Sequence, residues 1–427
     1  MGHSMLELMP PGYARPVVHE VVRKKLFVVQ AESNTFESTK PGWKICRITE
    51  MIPRSALVHA LSSSVRDVNT FIGQMDKMMN CSTDERVVCV GPACQRALTH
   101  AVFNLGCYLI YHNRISVKKL VQVFHWAMDD LEPIRDPSWT DPNFVLTVED
   151  YWRALARAQK VGWIAKHSRA DNGLWGEIDI RQHKLFDHPS RGHMHVVVPG
   201  EILAFGPSNN TATEKHSHYH KDSADSVNPR FSLQVSLFHH LGVSDLVPMS
   251  QNLLNTVHES RPNLLVSHDL GHGGFSHPTG AIVRAFTRIV EHAAGLVAVE
   301  CGTEGCTLNG STLIGLHLMR KYSFSVRSAI SWIHLLRPGS VRGEQPDYLL
   351  AVEKCFCTLK RTQRTAPTAQ YTLETKSSVP APESCYSNSG HQIASAQMSH
   401  RSQLCKSGEV SLLRRKLSII EEDENDT

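Results

Sequence analysis

The chain has 427 residues, room for two domains plus tails. Apolar residues make up 41% and charged residues 20%, and a formal net charge of +4 is too small to imply a nucleic-acid partner. The 11 cysteines are scattered, odd in number and without a CxxC pair, so free thiols in a reducing compartment are expected rather than a disulfide framework.

No secretory signal and no apolar run of about 18 residues is legible, so no membrane contact is expected and cytoplasm is the default location. The opening MetGly has Leu6 where myristoylation wants Ser or Thr. Residues 1–14, with ProProGly at 10–12, read as a flexible start. From 15 to 146 the pattern alternates. VVRKKLFVVQ (21–30) and RVVCVGP (86–92) read as strands, and ALTHAVFNLGCYLIYH (97–112) and SVKKLVQVFHWAMDDL (116–131) as helices, which together suggest an α/β domain.

A connection at 147–194 opens with TVEDYWRALARAQKVGW. Thr147 is a plausible N-cap with Asp150 three residues on, and apolar residues recur at Tyr151, Leu155 and Ala158, so a bridging helix is expected. A second domain covers 195–360. HVVVPGEILAFGP (195–207) reads as two strands around ProGly, and VRSAISWIHLL (326–336) as a helix with Ala329, Ile330, Ile333 and Leu336 on one face. Residues 361–427 are rich in Ser, Thr and Pro and read as a disordered tail. It ends with ArgArgLysLeuSer (414–418), a pattern basophilic kinases accept at Ser418, before an acidic run at 421–426.

The chemistry-bearing stretch is VECGTEGCTLNGSTLIG (299–315). It follows the apolar run GLVAV and leads into a helix pattern. Strand, Gly/Ser/Thr-rich loop and helix together build anion sites, because backbone N–H groups and the helix N-terminus converge on the ligand. A Cys at the strand end is placed where a thiolate can be stabilised. Yet the loop has no Lys or Arg and carries Glu300 and Glu304.

Several segments carry a resemblance. IRDPSW (134–139), FVLTVEDYW (144–152), VVVPGEILAFGP (196–207), HDL (268–270), SHPTGAIVRAF (276–286) and TLIGLHLMRKYSFSVRSAISWIHLLRPGSVRGEQ (312–345) stand in one family's order. The chain resembles the mitotic-exit dual-specificity phosphatases, the family named for cell-division-cycle gene fourteen, over roughly residues 17–352. The resemblance implies an α/β fold of tandem protein-tyrosine-phosphatase-like domains joined by a linker helix. The N-terminal domain would lack a catalytic Cys and help form the substrate groove. The C-terminal domain would hydrolyse phosphoserine, phosphothreonine or phosphotyrosine, preferring phosphoserine before proline.

That chemistry needs a thiolate nucleophile, an Arg six positions on to grip the phosphoryl oxygens, and an Asp to protonate the leaving oxygen. The resemblance places Cys301 at the nucleophile and Glu300 where the family has His. The Arg position falls on Thr307 counted forward or on Asn309 counted back from ThrLeuIleGly, and the general acid falls on Gly274, with His272 and His277 nearby. The phosphate loop would comprise Glu300, Gly302, Thr303, Glu304, Gly305, Cys306, Thr307, Gly310, Ser311 and Thr312, with Gln345 a further candidate. Arg337 and Arg342 are the basic residues a degenerate site could borrow. Losing one transition-state donor costs about 10²–10³ in rate, and losing a general acid about 10²–10⁴. Cys355 and Arg361 repeat the Cys-to-Arg spacing, but no Gly lies between them, so chance explains it.

His216, His218 and His220 stand two residues apart and would share one face of a strand, in reach of a metal. HisMetHis (193–195), HisHis (239–240) and the His268–Asp269 pair lie in the same half. A solvated loop is the plainer reading of 216–220, so no metal and no cofactor is expected. The leading expectation is a pseudophosphatase: a protein-binding or scaffold protein, with a protein, phosphoprotein or peptide partner in the interdomain groove. The alternatives are an active dual-specificity phosphatase working through Cys301 and a His-cluster metal-binding protein. Nucleic acid and membrane are not expected, the oligomeric state is left open, and nuclear, centrosomal or ciliary association would follow only by family analogy.

Overall fold

In a computed structural model the described residues are 17–30, 42–48, 64–80, 85–91, 94–113, 115–136, 138–165, 174–187, 193–206, 229–260, 265–270, 277–301 and 310–365. The first sheet begins with a hairpin, β1 (Val18–Val22) and β2 (Leu26–Gln30), where a single strand over 21–30 was expected. Arg23, Lys24 and Lys25 are three cations in a row. They fold into the turn with Lys24 at φ +58, its backbone N–H donating to Glu20. β3 (Trp43–Arg47), helix α1 (Val65–Met79) and β4 (Arg86–Gly91) follow. The sheet order is β1-β2-β4-β3, with β4 parallel to both neighbours. Leu26–Val29 and Val87–Val90 are buried without alternation, as expected for parallel strands covered on both faces.

Ser64 and Asp67 close a capping box on α1, whose buried stripe is Val65, Val68, Phe71, Ile72 and Met75. Helix α2 (Gln95–Asn113) is buried along most of its length. Helix α3 (Val117–Val123) is shorter than the 116–131 expected. The chain leaves the helix there to bury Phe124 and Ala127 and to stack Trp126 on His19 at 3.6 Å between ring centroids. Tertiary burial overrides local helix preference at this point.

Helix α4 (Val148–Lys160) has the expected Thr147–Asp150 capping box. It packs on α2, where a Cβ at Gly106 would lie 2.2 Å from the Trp152 ring, so only glycine fits. Trp152 Nε1 donates to Phe103 O at 3.2 Å.

A short hairpin, β5 (Leu174–Trp175) and β6 (Ile178–Asp179), leads into α5 (Ile180–Phe186). The second sheet then forms. β7 (His195–Val198) and β8 (Ile202–Phe205) pair antiparallel, turning at Gly200 with φ +73. Helix α6 (Pro229–His240), β9 (Val243–Val247), α7 (Gln251–Ser260), β10 (Val266–Ser267), α8 (Gly280–His292) and β11 (Leu296–Glu300) follow. The order is β10-β9-β11-β8-β7, and all but the β7 edge run parallel. Helices α9 (Gly310–Lys321), α10 (Val326–Leu336) and α11 (Gln345–Thr365) complete it.

One hydrophobic cluster runs from Val28 and Val87 in the first half through α4 to Val299 and Leu336 in the second. Polar ties cross the same boundary. Tyr151 Oη meets His334 Nδ1 at 2.5 Å, Trp139 Nε1 donates to Val341 O at 2.9 Å, and Arg157 donates to Tyr322 O. Trp163 packs among Tyr322, Phe324 and Trp332. No helix among the described residues is long and apolar enough to cross a membrane. The tail readings from 366 on, Ser418 included, lie outside the described residues.

Candidate functional site

In an open parallel sheet, ligands bind beyond the carboxyl ends of the strands. Here that edge is set by β8 and β11, which end side by side at Phe205 and Glu300. Cys301 follows directly. Its N–H donates to Phe205 O at 2.8 Å, and the residue is 1% exposed. Helix α9 starts against it. A Cβ on Gly310 would sit 2.3 Å from Glu300 O and 3.1 Å from Cys301 Sγ, so glycine lets the helix N-terminus close on the strand end. Ser311 and Thr312 are buried in the same first turn.

Burial pushes the Cys301 thiol up to about 11, and the Glu300 charge adds to the rise. Arg337 and a hydrogen bond from Ser311 pull the other way without offsetting it. A nucleophilic thiolate needs the opposite shift.

Glu300 was expected to hold negative charge where a phosphate dianion would sit. The structure corrects that picture. The residue is fully buried, and its carboxylate accepts from Met249 N–H, Ser250 N–H and Ser250 Oγ–H, each at 2.8 Å. Met249 and Ser250 directly precede α7, so this carboxylate ties β11 to the positive end of that helix.

The basic residues considered as substitutes have other partners. Arg337 is 4% exposed and donates to two backbone carbonyls, those of His193 and Cys301. Arg342 is exposed and donates to Gly339 O at 2.6 Å. Gln345 accepts from the Arg342 N–H at 3.2 Å, at the start of α11. His277 stacks on Tyr348 at 4.7 Å and approaches Glu344 at 3.9 Å. His268 pairs with Asp245 Oδ1 at 2.6 Å, on the neighbouring strand. The Cys355 segment is helical in α11, as its lack of glycine suggested.

Gly302, Thr303, Glu304, Gly305, Cys306, Thr307 and Asn309 lie outside the described residues. So do Gly274 and His272, and so do His216, His218 and His220. The structure does gather one imidazole cluster. His193 and His195 flank Asp187 at the end of α5, with the His183 ring tilted against His195 at 4.3 Å between centroids. HisMetHis was visible in the sequence, but nothing local pairs it with an Asp six residues before His193.

Burial takes His195 down to about 3, and burial with the Arg337 charge takes His193 to about 4. The His195 ring beside Asp187 outweighs the effect of burial and brings the carboxyl to about 2. At neutral pH the two rings are neutral and the Asp is ionised.

Comparison with known proteins agrees with this frame. A family model described as dual specificity protein phosphatase, N-terminal half, matches residues 63–158. Human dual specificity protein phosphatase CDC14C is 25% identical over 257 residues, 60% of this chain and 53% of that protein. Mouse dual specificity protein phosphatase CDC14B is 26% identical over 257 residues, 60% of this chain and 49% of that protein. Yeast tyrosine-protein phosphatase CDC14, from Saccharomyces cerevisiae, is 25% identical over 292 residues, 66% of this chain and 49% of that protein. The chain thus spans about half the length of these relatives. In its N-terminal-half match, its two α/β sheets and the bridging α4 between them, the chain is similar to the CDC14-type dual-specificity phosphatases.

Proposed function

We propose that this chain is a pseudophosphatase, a protein-binding or scaffold protein on a dual-specificity phosphatase fold, with a protein or phosphoprotein as partner. The observation that carries this reading is the state of Cys301: buried at the strand end, its thiol held in the protonated form, in a loop without Lys or Arg. Phosphoryl transfer in this family's manner requires a thiolate and a guanidinium on the phosphoryl oxygens. Neither Cys301 nor the positions aligned with the Arg, Thr307 and Asn309, supplies them. Glu300 supports the same reading, because its carboxylate is engaged in fold architecture. The domain limits that go with this proposal are 15–146 and 195–360, joined by 147–194.

The test is turnover of a small aryl phosphate by wild type and Cys301→Ser, with tungstate binding measured alongside. Turnover at the buffer rate in both proteins is expected. Tungstate binding without turnover would refine the proposal to a phosphopeptide reader. Turnover abolished by Cys301→Ser would overturn it in favour of an active dual-specificity phosphatase.

A further inference from the structure

His195, the first residue of β7, has a fully buried side chain. Neither ring nitrogen has a hydrogen-bond partner among the described residues. Nε2 nevertheless lies 3.2 Å from Asp187 Oδ1, an approach without the geometry of a hydrogen bond. His193 Nε2 lies 3.8 Å from the same oxygen. One ligand atom from each of the three residues falls within 4.8 Å of the others. Tetrahedral zinc with bonds of about 2.0–2.1 Å keeps its N and O ligands about 3.3–3.4 Å apart; the Asp187–His195 pair already has that spacing at 3.2 Å, and the ring of His193 closes in to complete it.

A buried polar side chain facing a carboxylate without a hydrogen bond needs a reason. We propose that Asp187, His193 and His195 form a site for one divalent transition metal of the zinc class, pinning the end of α5 to the first residue of β7.

The donor set selects the metal. Two imidazoles and one carboxylate suit zinc, cobalt, nickel or copper, whereas calcium and magnesium require oxygen ligands. The surroundings reinforce that choice. Arg66 lies 3.9 Å from Asp187 Oδ2, and Arg337 donates to His193 O. Both guanidiniums oppose a cation held by charge alone, so binding must come from the imidazole lone pairs. Neighbouring contacts hold the rings in place. His195 packs against the tilted ring of His183, whose Nε2 meets Leu336 O at 2.7 Å. His193 sits at φ +45, a left-handed conformation that a non-glycine residue seldom adopts. The site stands whether or not Cys301 has chemistry, because none of its three ligands comes from the phosphate loop.

The full chain, purified without a polyhistidine tag and stripped with chelator, is titrated with Zn²⁺ by calorimetry and with Co²⁺ by visible absorption. One equivalent is expected, with cobalt bands of an N/O-coordinated, low-coordinate ion and no thiolate charge-transfer band. Asp187→Asn and His193→Ala should each weaken binding by more than about 10-fold. The triple variant His216→Ala, His218→Ala, His220→Ala should bind as wild type does.

Far-UV dichroism and melting of the metal-free proteins check folding. Should His193→Ala fail to fold, the zinc-induced rise in Tm, present in wild type and absent in Asp187→Asn, decides the matter. Less than a tenth of an equivalent in wild type overturns the proposal. So does wild-type affinity in either folded single variant, or loss confined to the 216–220 triple variant.

Discussion

The two halves build the same unit at their sheet centres and finish it differently. In the first, β4 ends at Gly91 and α2 begins at Gln95, so residues 92–94 make the connection. In the second, β11 ends at Glu300 and α9 begins at Gly310, leaving 301–309 between them. Both strands run parallel to their sheet neighbours, and both helices are buried beside them. A connection as short as 92–94 cannot turn successive N–H groups around an anion, whereas 301–309 has the length for it. The difference teaches that one strand-to-helix scaffold can be closed by connections of very different length. The second half keeps the glycine-gated approach of helix to strand, and places beside it a buried thiol and a carboxylate bonded to the start of α7.

The largest expected effects probe what the halves share. Gly106→Ala drives a Cβ into the Trp152 ring and Gly310→Ala drives one into Glu300 O, so each should cost about 3 kcal/mol in denaturant unfolding. A tolerated Gly310→Ala beside a damaging Gly106→Ala would show that the α9 junction has relaxed. Next comes the feature that sets the second half apart. Glu300→Ala leaves the buried Met249 N–H and the half-buried Ser250 N–H before α7 without their acceptor and should cost about 2–3 kcal/mol, with Glu300→Gln costing less. A neutral Glu300→Ala would remove the case that this carboxylate is architectural.

Glu201 sharpens the contrast from the β7–β8 turn. Burial raises its pKa, but hydrogen bonds from His317, Lys321 and Tyr322 outweigh burial and bring it to about 2. Glu201→Gln should therefore cost about 1–2 kcal/mol at neutral pH. A carboxylate with a depressed folded pKa stabilises above its unfolded value, about 4.3, and loses that contribution as pH falls toward 2. Unfolding midpoints of wild type and variant should converge across that window; a constant gap would mean the loss is one of packing. The smallest effect falls on the nucleophile position itself. Cys301→Ser should change stability by no more than about 1 kcal/mol. In native wild type at pH 8, iodoacetamide should label the exposed Cys94 and Cys355 well before Cys301, read by mass spectrometry. Equal labelling would mean an accessible thiolate and a loop still shaped for chemistry.

Much of this frame was legible beforehand. The Thr147–Asp150 box announces α4, and ProGly at 199–200 announces the turn between β7 and β8, because caps and turns are written in a few adjacent residues. The missing Lys and Arg of 301–309 were equally plain. The 21–30 segment and the end of α3 depart from their hydrophobic pattern. Their outcome rests on a turn of like charges and on burial of Phe124, neither of which follows from hydrophobic period. The Glu300 charge was visible but its direction was not, since its partners are residues 249 and 250.

By itself the sequence determined the α/β class, the bridging helix, the likeness to one phosphatase family and the composition of the loop after β11, because each rests on local pattern. Only the tertiary structure decided that Glu300 serves α7, that Arg337 holds the carbonyls of His193 and Cys301, and that Asp187 meets His193 and His195. Those are contacts between segments brought together by packing one continuous core, and no spacing along the chain encodes them.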